Sequence, residues 1–220
     1  MIEQFIELLP ELNKSFLETL IMVGIGLLVA LIVGLPLGIL LFVTDRDLFL
    51  ENRWLKSILG VVVNLVRSVP FIILLVFLLP FTNFLLGTTT GPVSASVSLS
   101  VAAIPFYARI VESAARDIDR GVIEAAIACG ASPWLIIKDI IFPEIKPGLI
   151  SGLTITAISL IGYSAMAGAI GGGGIGDLAI RYGYYRYDDF VMFTTVILLV
   201  VMVQVIQYAG DFISKSVKKS

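Results

Sequence analysis

The chain has 220 residues, 58% hydrophobic and 15% charged, with a formal net charge of −2 and a mean hydropathy of +1.00. That is too apolar for a soluble domain and too polar for a chain immersed in lipid throughout, so it reads as an all-α multi-pass membrane protein with one transmembrane domain, residues 1–220. One cysteine and no histidine exclude an intrachain disulfide, a cysteine-based metal cluster and the usual proton shuttle.

The opening "MIEQFIELLPELNK" is acidic where a cleavable signal would carry positive charge, so the first span is expected to be retained. Residues 19–44, 68–108, 147–176 and 190–210 contain no Asp, Glu, Lys or Arg, and a spanning helix needs roughly 20 apolar residues. The second run is long enough for two spans and is divided at "GTTTGP", Gly87 to Pro92, a turn-rich cluster. Five helices are predicted, at 17–43, 58–80, 95–111, 149–170 and 190–213; the third is short and serine-rich.

In the first span, Gly34 and Gly38 are spaced for close helix approach, and Gly148 and Gly152 repeat that spacing at the entry to the fourth. Arg67, in "NLVRSVPF", is the basic residue expected inside a span. It either snorkels and satisfies carbonyls freed by Pro70, or contributes to the inner mouth of a pathway.

Between the third and fourth spans lies a polar interruption, about 112–147. Within it "IEAAIAC" carries small residues and helix formers, Gly130 can end a helix in the left-handed conformation, and Ser132-Pro133 supplies an N-cap and first-turn proline for a second helix, Trp134 to Phe142. Pro143 and Pro147 are expected to bracket the return to the membrane. The segment suits either a lipid surface, with Trp134 as anchor, or a groove on another protein, docked through the alanine-lined helix end at Glu124.

Further on, "GYSAMAGA" sets Met166 among Gly162, Ser164, Ala165, Ala167 and Gly168. A large flexible side chain there can serve as an outward gate, with Tyr163 and Ser164 beside it, or can fill a gap between helices. The run "GGGGIG", Gly171 to Gly176, fits the dinucleotide-turn pattern literally. It follows a membrane span rather than a strand, so it is expected instead to be a flexible or closely packed re-entry of the chain. No GxxxxGK[ST] phosphate loop is present, so ATP hydrolysis by that route is excluded. Tyr182, Tyr184, Tyr185 and Tyr187 form an interfacial belt, or a docking surface for an external partner.

With five spans the termini lie on opposite sides. Arg46, Arg53, Lys56, Arg109, Arg116, Arg120, Lys138, Lys146, Lys215, Lys218 and Lys219 collect on one side, and only Lys14, Arg181 and Arg186 on the other. The positive-inside rule therefore puts the N-terminus outside and the C-terminus and the polar interruption in the cytoplasm.

Glu124-Ala125-Ala126, Gly130, Ile140 and Pro143 fall on the pattern of the cytoplasmic loop of ABC importer permeases, with Phe142 where that pattern has leucine. "VRSVPFIILLVFLLPFT", "GYSAMAGAIGGGGIGDLAIRYGYYRYDDFVM" and "IQYAGD" extend the resemblance, over nearly the whole chain, to permeases of methionine-uptake ABC transporters of the type I importer fold. The resemblance implies that Glu124, Ala125, Ala126, Gly130, Ser132 and Pro133 form a coupling helix docked on a separate ATPase subunit. It further implies a homodimer of this chain in a bacterial plasma membrane, two ABC subunits that bind ATP and magnesium, and an external substrate-binding protein. No cofactor is expected in the chain, which is not itself an enzyme, and no nucleic-acid partner. The alternatives are a permease for another amino acid and, from different classes, a secondary transporter or a membrane enzyme. Those would need an internal repeat with intramembrane ionisable residues, or a clustered catalytic set.

Overall fold

A computed structural model of the chain describes residues 2–218, with side chains for 5–217. The side chain of Lys218, and Lys219 altogether, lie outside the described residues. Helix α1 (Ile2–Val29) passes through a widened π-helical turn, Ala30–Gly34, into α2 (Leu35–Val43), so that Phe5–Val43 is one apolar helical run of 39 residues. At ~1.5 Å per residue this exceeds the ~30 Å bilayer core, so the helix, which begins well before the expected residue 17, extends beyond a single span's length.

The expected second span is corrected: it is not one helix. Helix α3 (Arg53–Ser68) and α4 (Phe71–Phe77) meet at 102°, and α5 (Leu79–Leu86) follows α4. Proline forces the residue before it out of the helical region, and Val69 is accordingly extended (φ −84°, ψ 126°) ahead of Pro70. At the other end of α3, Asn52 caps the helix by accepting from the Leu55 amide at 3.0 Å.

Helix α6 (Pro92–Arg116) is longer than the expected 95–111 and is the most buried of the spans. Its serines are small enough to permit close packing, and two of them bond the preceding turn: Ser96 donates to Val93 at 2.6 Å and Ser100 to Ser96 at 2.7 Å. The two glycine pairs clasp this helix from different sides. A Cβ on Gly34 or Gly38 would meet the Ile104 and Ala108 carbonyls at 2.9 and 2.5 Å, and one on Gly148 or Gly152 would meet Ala114 at 3.0 Å and Ile110 at 2.6 Å. Between them Tyr107 is fully buried and donates to the Leu149 carbonyl at 3.3 Å.

After α6 come α7 (Arg120–Ala128) and α8 (Pro133–Leu135). The expected separate helix Trp134–Phe142 and the proline break after it are corrected. A π-helical turn, Ile136–Ile141, leads straight into α9 (Phe142–Gly168), giving one run from Pro133 to Gly168 of 36 residues. Pro143 falls just past the widened turn, where the regular hydrogen-bond register is already interrupted, and Pro36 stands in the same relation to the turn Ala30–Gly34. The fourth span thus starts at 133 rather than 149. Helix α10 (Gly174–Leu178), a third wide turn, Ala179–Tyr184, and α11 (Asp189–Lys218) complete the chain.

Candidate functional site

The sequence-predicted corner folds as expected. Asp119 caps α7 by accepting from the Gly121 amide at 2.8 Å, Gly130 adopts φ +79°, and the Ser132 hydroxyl accepts from the Leu135 amide at 3.4 Å, ahead of Pro133 in the first turn. Of α7 only Ile123 is buried; Glu124 and Ala125 are exposed and Ala126 is half-buried. Val122 and Ile127 add exposed apolar area, Cys129 is exposed, and nothing stands within 4 Å of where a Gly130 Cβ would be. The corner is a short apolar helix with small residues, held to the bundle by Ile123, Ala126 and Ala131 and open on its other face.

What it hangs from is fixed. Glu112, at 1% exposure, accepts from Lys56 at 2.5 Å, Arg109 at 2.6 Å and Arg116 at 3.0 Å. Arg116 also reaches Asp45 at 2.6 Å, Lys56 reaches Asp45 at 3.3 Å, and Arg109 donates to Asn64 at 2.7 Å. Burial pushes the Asp45 carboxyl up, but the Arg46 amide and the Lys56 and Arg116 charges outweigh it and hold the group below its ordinary value. The cluster ties the last turn of α6 to the α2–α3 connection and to α3, three residues before α7 is capped. Sequence reading assigned residue 112 to the loop and missed this; the available signal was the Arg109, Glu112, Arg116 spacing on one helix face.

Four further residues are the sequence candidates for a pathway. Arg67 lies in the last turn of α3, at the 102° break, and lines a cavity of about 190 Å³ with Val69, Phe71, Leu74, Phe106 and Tyr163. Tyr163 stacks on Phe71, ring centroids 4.4 Å apart and 9° from parallel. Met166 is 47% exposed, so it fills no gap within its own chain. Ser164 differs: it is buried, and its hydroxyl donates to the Ile161 carbonyl at 2.7 Å, turned away from the face that carries Met166. The structure thus brings Arg67 and Tyr163 together and leaves Met166 and Ser164 apart from them.

At the opposite end the glycine run is closely packed. A Cβ on Gly176 would collide with the Ala165 backbone, and one on Gly168 with the Asp177 amide. The Glu18 carboxylate accepts from the Gly174 amide at 2.8 Å and the Thr19 hydroxyl from the Ile175 amide at 3.0 Å, so α1 caps α10 across 156 positions of sequence. The tyrosine cluster stands out from this end: Tyr184, Tyr185 and Tyr187 are exposed, while the Arg186 guanidinium lies 4.4 Å from the Tyr182 ring centroid.

The sequence description of the family "binding-protein-dependent transport system inner membrane component" matches residues 34–219. The chain belongs to this family. Among its relatives, the probable D-methionine transport system permease protein of Vibrio cholerae is 46% identical over 91% of the chain and 89% of its own length. The methionine import system permease protein of Bacillus subtilis is 46% identical over 82% and 81%. A solved structure of the MetNI methionine ABC transporter in inward-facing conformations contains a chain 44% identical to this one. The two superpose with a TM-score of 0.94, covering 96% of this chain and 98% of that one. The fold is that of a type I importer permease, and the chain is a multi-pass membrane subunit of an ABC transporter.

Proposed function

We propose that the chain is the permease of a methionine importer, working as a homodimer in a bacterial plasma membrane with two ATPase subunits that bind ATP and magnesium, and with an external binding protein that delivers the substrate. The names of the relatives support the substrate, and the open α7 corner carries the coupling role. Small side chains at Ala125 and Ala126 let a partner groove approach the helix backbone, which a longer side chain would prevent. The lysine and arginine asymmetry supports an outside N-terminus and a cytoplasmic corner.

The geometry gives a route for motion. The corner joins α6, fixed to α3 through Glu112, to the unbroken run Pro133–Gly168, which is ~54 Å long at ~1.5 Å per residue. Displacing the corner therefore displaces one end of a helix whose other end carries Tyr163 and Met166. ATP inside and loaded binding protein outside bias the dimer between inward-open and outward-open states through their differential affinity for each. Met166, exposed beside small residues, forms the outward gate against its copy in the partner chain. Purified complex in liposomes is expected to take up labelled methionine only with internal ATP and binding protein, with unlabelled methionine competing best among amino acids. Uptake without ATP, or none for any amino acid, would overturn the reading.

A further inference from the structure

The cavity at the α3–α4 break has the makings of a substrate site inside the permease. Its walls come from α3, α4, α6 and α9, so its shape is set by the hinge at Val69-Pro70 and by the long helix that leaves the corner. Arg67 is the one charged residue in the wall, and no carboxylate stands within ion-pair distance of it among the described residues. Along α6 the cavity reaches half-buried Phe106 and Ala102, one and two turns further from the α6 C-terminus than Arg109 and so away from the ionic end, with Arg67 exposed at its mouth. A guanidinium presents a planar fork that matches a carboxylate. Charge within a span is expensive and marks a site whose partner must be named.

The rest of the wall has the complementary chemistry. Val69, Phe71, Leu74 and Phe106 offer an apolar surface, two of them aromatic, which suits a thioether or other unbranched apolar side chain. The Tyr163 phenol adds a second polar group, its ring held by stacking on Phe71. At about 190 Å³ the space is below the ~300–1,000 Å³ of pockets for drug-sized ligands and suits one small solute. Three larger grooves, lined by Leu9, Phe16 and Ile197, by Ile39, Trp134 and Phe142, or by Ile158, Ile161 and Val203, are more open and almost wholly apolar.

We propose that this cavity binds the transported amino acid, its α-carboxylate on Arg67 and its side chain against Phe71 and Phe106. The proposal rests on the importer reading above and adds to it a binding step within the permease. A discontinuous helix lining the site fits that role, since its break lets the wall open and close as the hinge moves.

The test uses the complete permease–ATPase complex in nanodiscs, without external binding protein, irradiated with a diazirine analogue of methionine that keeps the α-carboxylate. Mass spectrometry should find label on Phe71, Phe106 or Tyr163, competed by excess methionine but not by the corresponding amine without the carboxylate. Loss of a charge-assisted pair in Arg67→Gln should reduce that labelling about tenfold or more, with Arg67→Lys recovering part of it and the melting temperature unchanged. Wild-type complex that imports methionine with its binding protein yet shows no competed label at these residues would overturn the site and leave the importer reading standing. So would equal labelling in folded Arg67→Gln. Wild-type complex inactive in ATP-driven uptake of every amino acid would remove the reading on which the site rests, and the site with it.

Discussion

The corners at either end of the long helix Pro133–Gly168 are both built on glycine, and they are opposites. Gly130 turns the chain at φ +79° in open space, beside exposed Glu124 and Ala125. Gly171, Gly173 and Gly174 turn it at φ +91°, +78° and +84°, but there Gly172, Gly174 and Gly176 are buried and capped by Glu18 and Thr19 from α1. The closed corner uses its small residues for contacts inside the chain. The open corner is held to the core by Ile123, Ala126 and Ala131 and leaves Glu124, Ala125 and Ala128 uncovered, which is the signature of a surface finished by a partner.

Substitutions that add one methyl group separate the two most sharply. Gly176→Ala drives a Cβ into the Ala165 backbone and should lower stability by about 3 kcal/mol, the upper end of overpacking effects. Gly130→Ala meets no atom, and only its left-handed backbone counts against it, by about 1–2 kcal/mol. Thermal melts of the purified complex should rank the two in that order; equal shifts would mean that the open corner is packed after all.

Next in size is the anchor of the open corner. Glu112→Gln leaves Lys56, Arg109 and Arg116 around a neutral amide. Full burial of such a break is worth more, but the partial exposure of these cations reduces the loss to about 2 kcal/mol. Because α7 hangs from this turn, ATP hydrolysis should continue in the variant while uptake per ATP falls, as paired assays on proteoliposomes would register. Glu18→Gln removes charge assistance from the closed corner and should lower stability by about 1 kcal/mol without changing uptake per ATP.

The smallest effect is one of pH. The Asp45 carboxyl is held below its ordinary value, so its contribution is complete above about pH 4 and is lost as pH falls through its lower folded-state value. Melting temperature should not respond to Asp45 between about pH 5 and 8, and Asp45→Asn should make the decline below about pH 4 shallower than in the native chain.

Much of this architecture is legible in sequence because the signals are local. Charge-free runs mark the apolar helices, and Gly130, Ser132 and Pro133 specify a corner whose geometry depends on three neighbouring residues. Hydropathy has no term for direction, so the run 68–108 could not reveal that the chain turns by 102° at Pro70. Nor could Pro143 and Pro147 be read as tolerated, since the widened turn that accommodates the first is itself a product of packing. The third span reads as short and serine-rich because sequence does not show the Ser96 and Ser100 hydroxyls bonded to the preceding turn. The largest omissions, Glu112 and Glu18, are explained by partners 56 and 156 positions away. A carboxylate beside an apolar run looks like a boundary until the cation or amide that neutralises it has been brought near.

The central claim is that the open corner is covered by the ATPase, and cysteine accessibility tests it most directly. Cys129 is the only cysteine, so Cys129→Ser gives a clean background in which Ala125→Cys or Thr89→Cys is introduced; both positions are exposed in the chain alone. In the assembled permease–ATPase complex, a maleimide should modify Thr89→Cys at the rate of an open thiol and Ala125→Cys at least about tenfold more slowly, the protection expected of a close-packed interface. Equal rates at the two positions in a complex that still imports substrate would contradict the account.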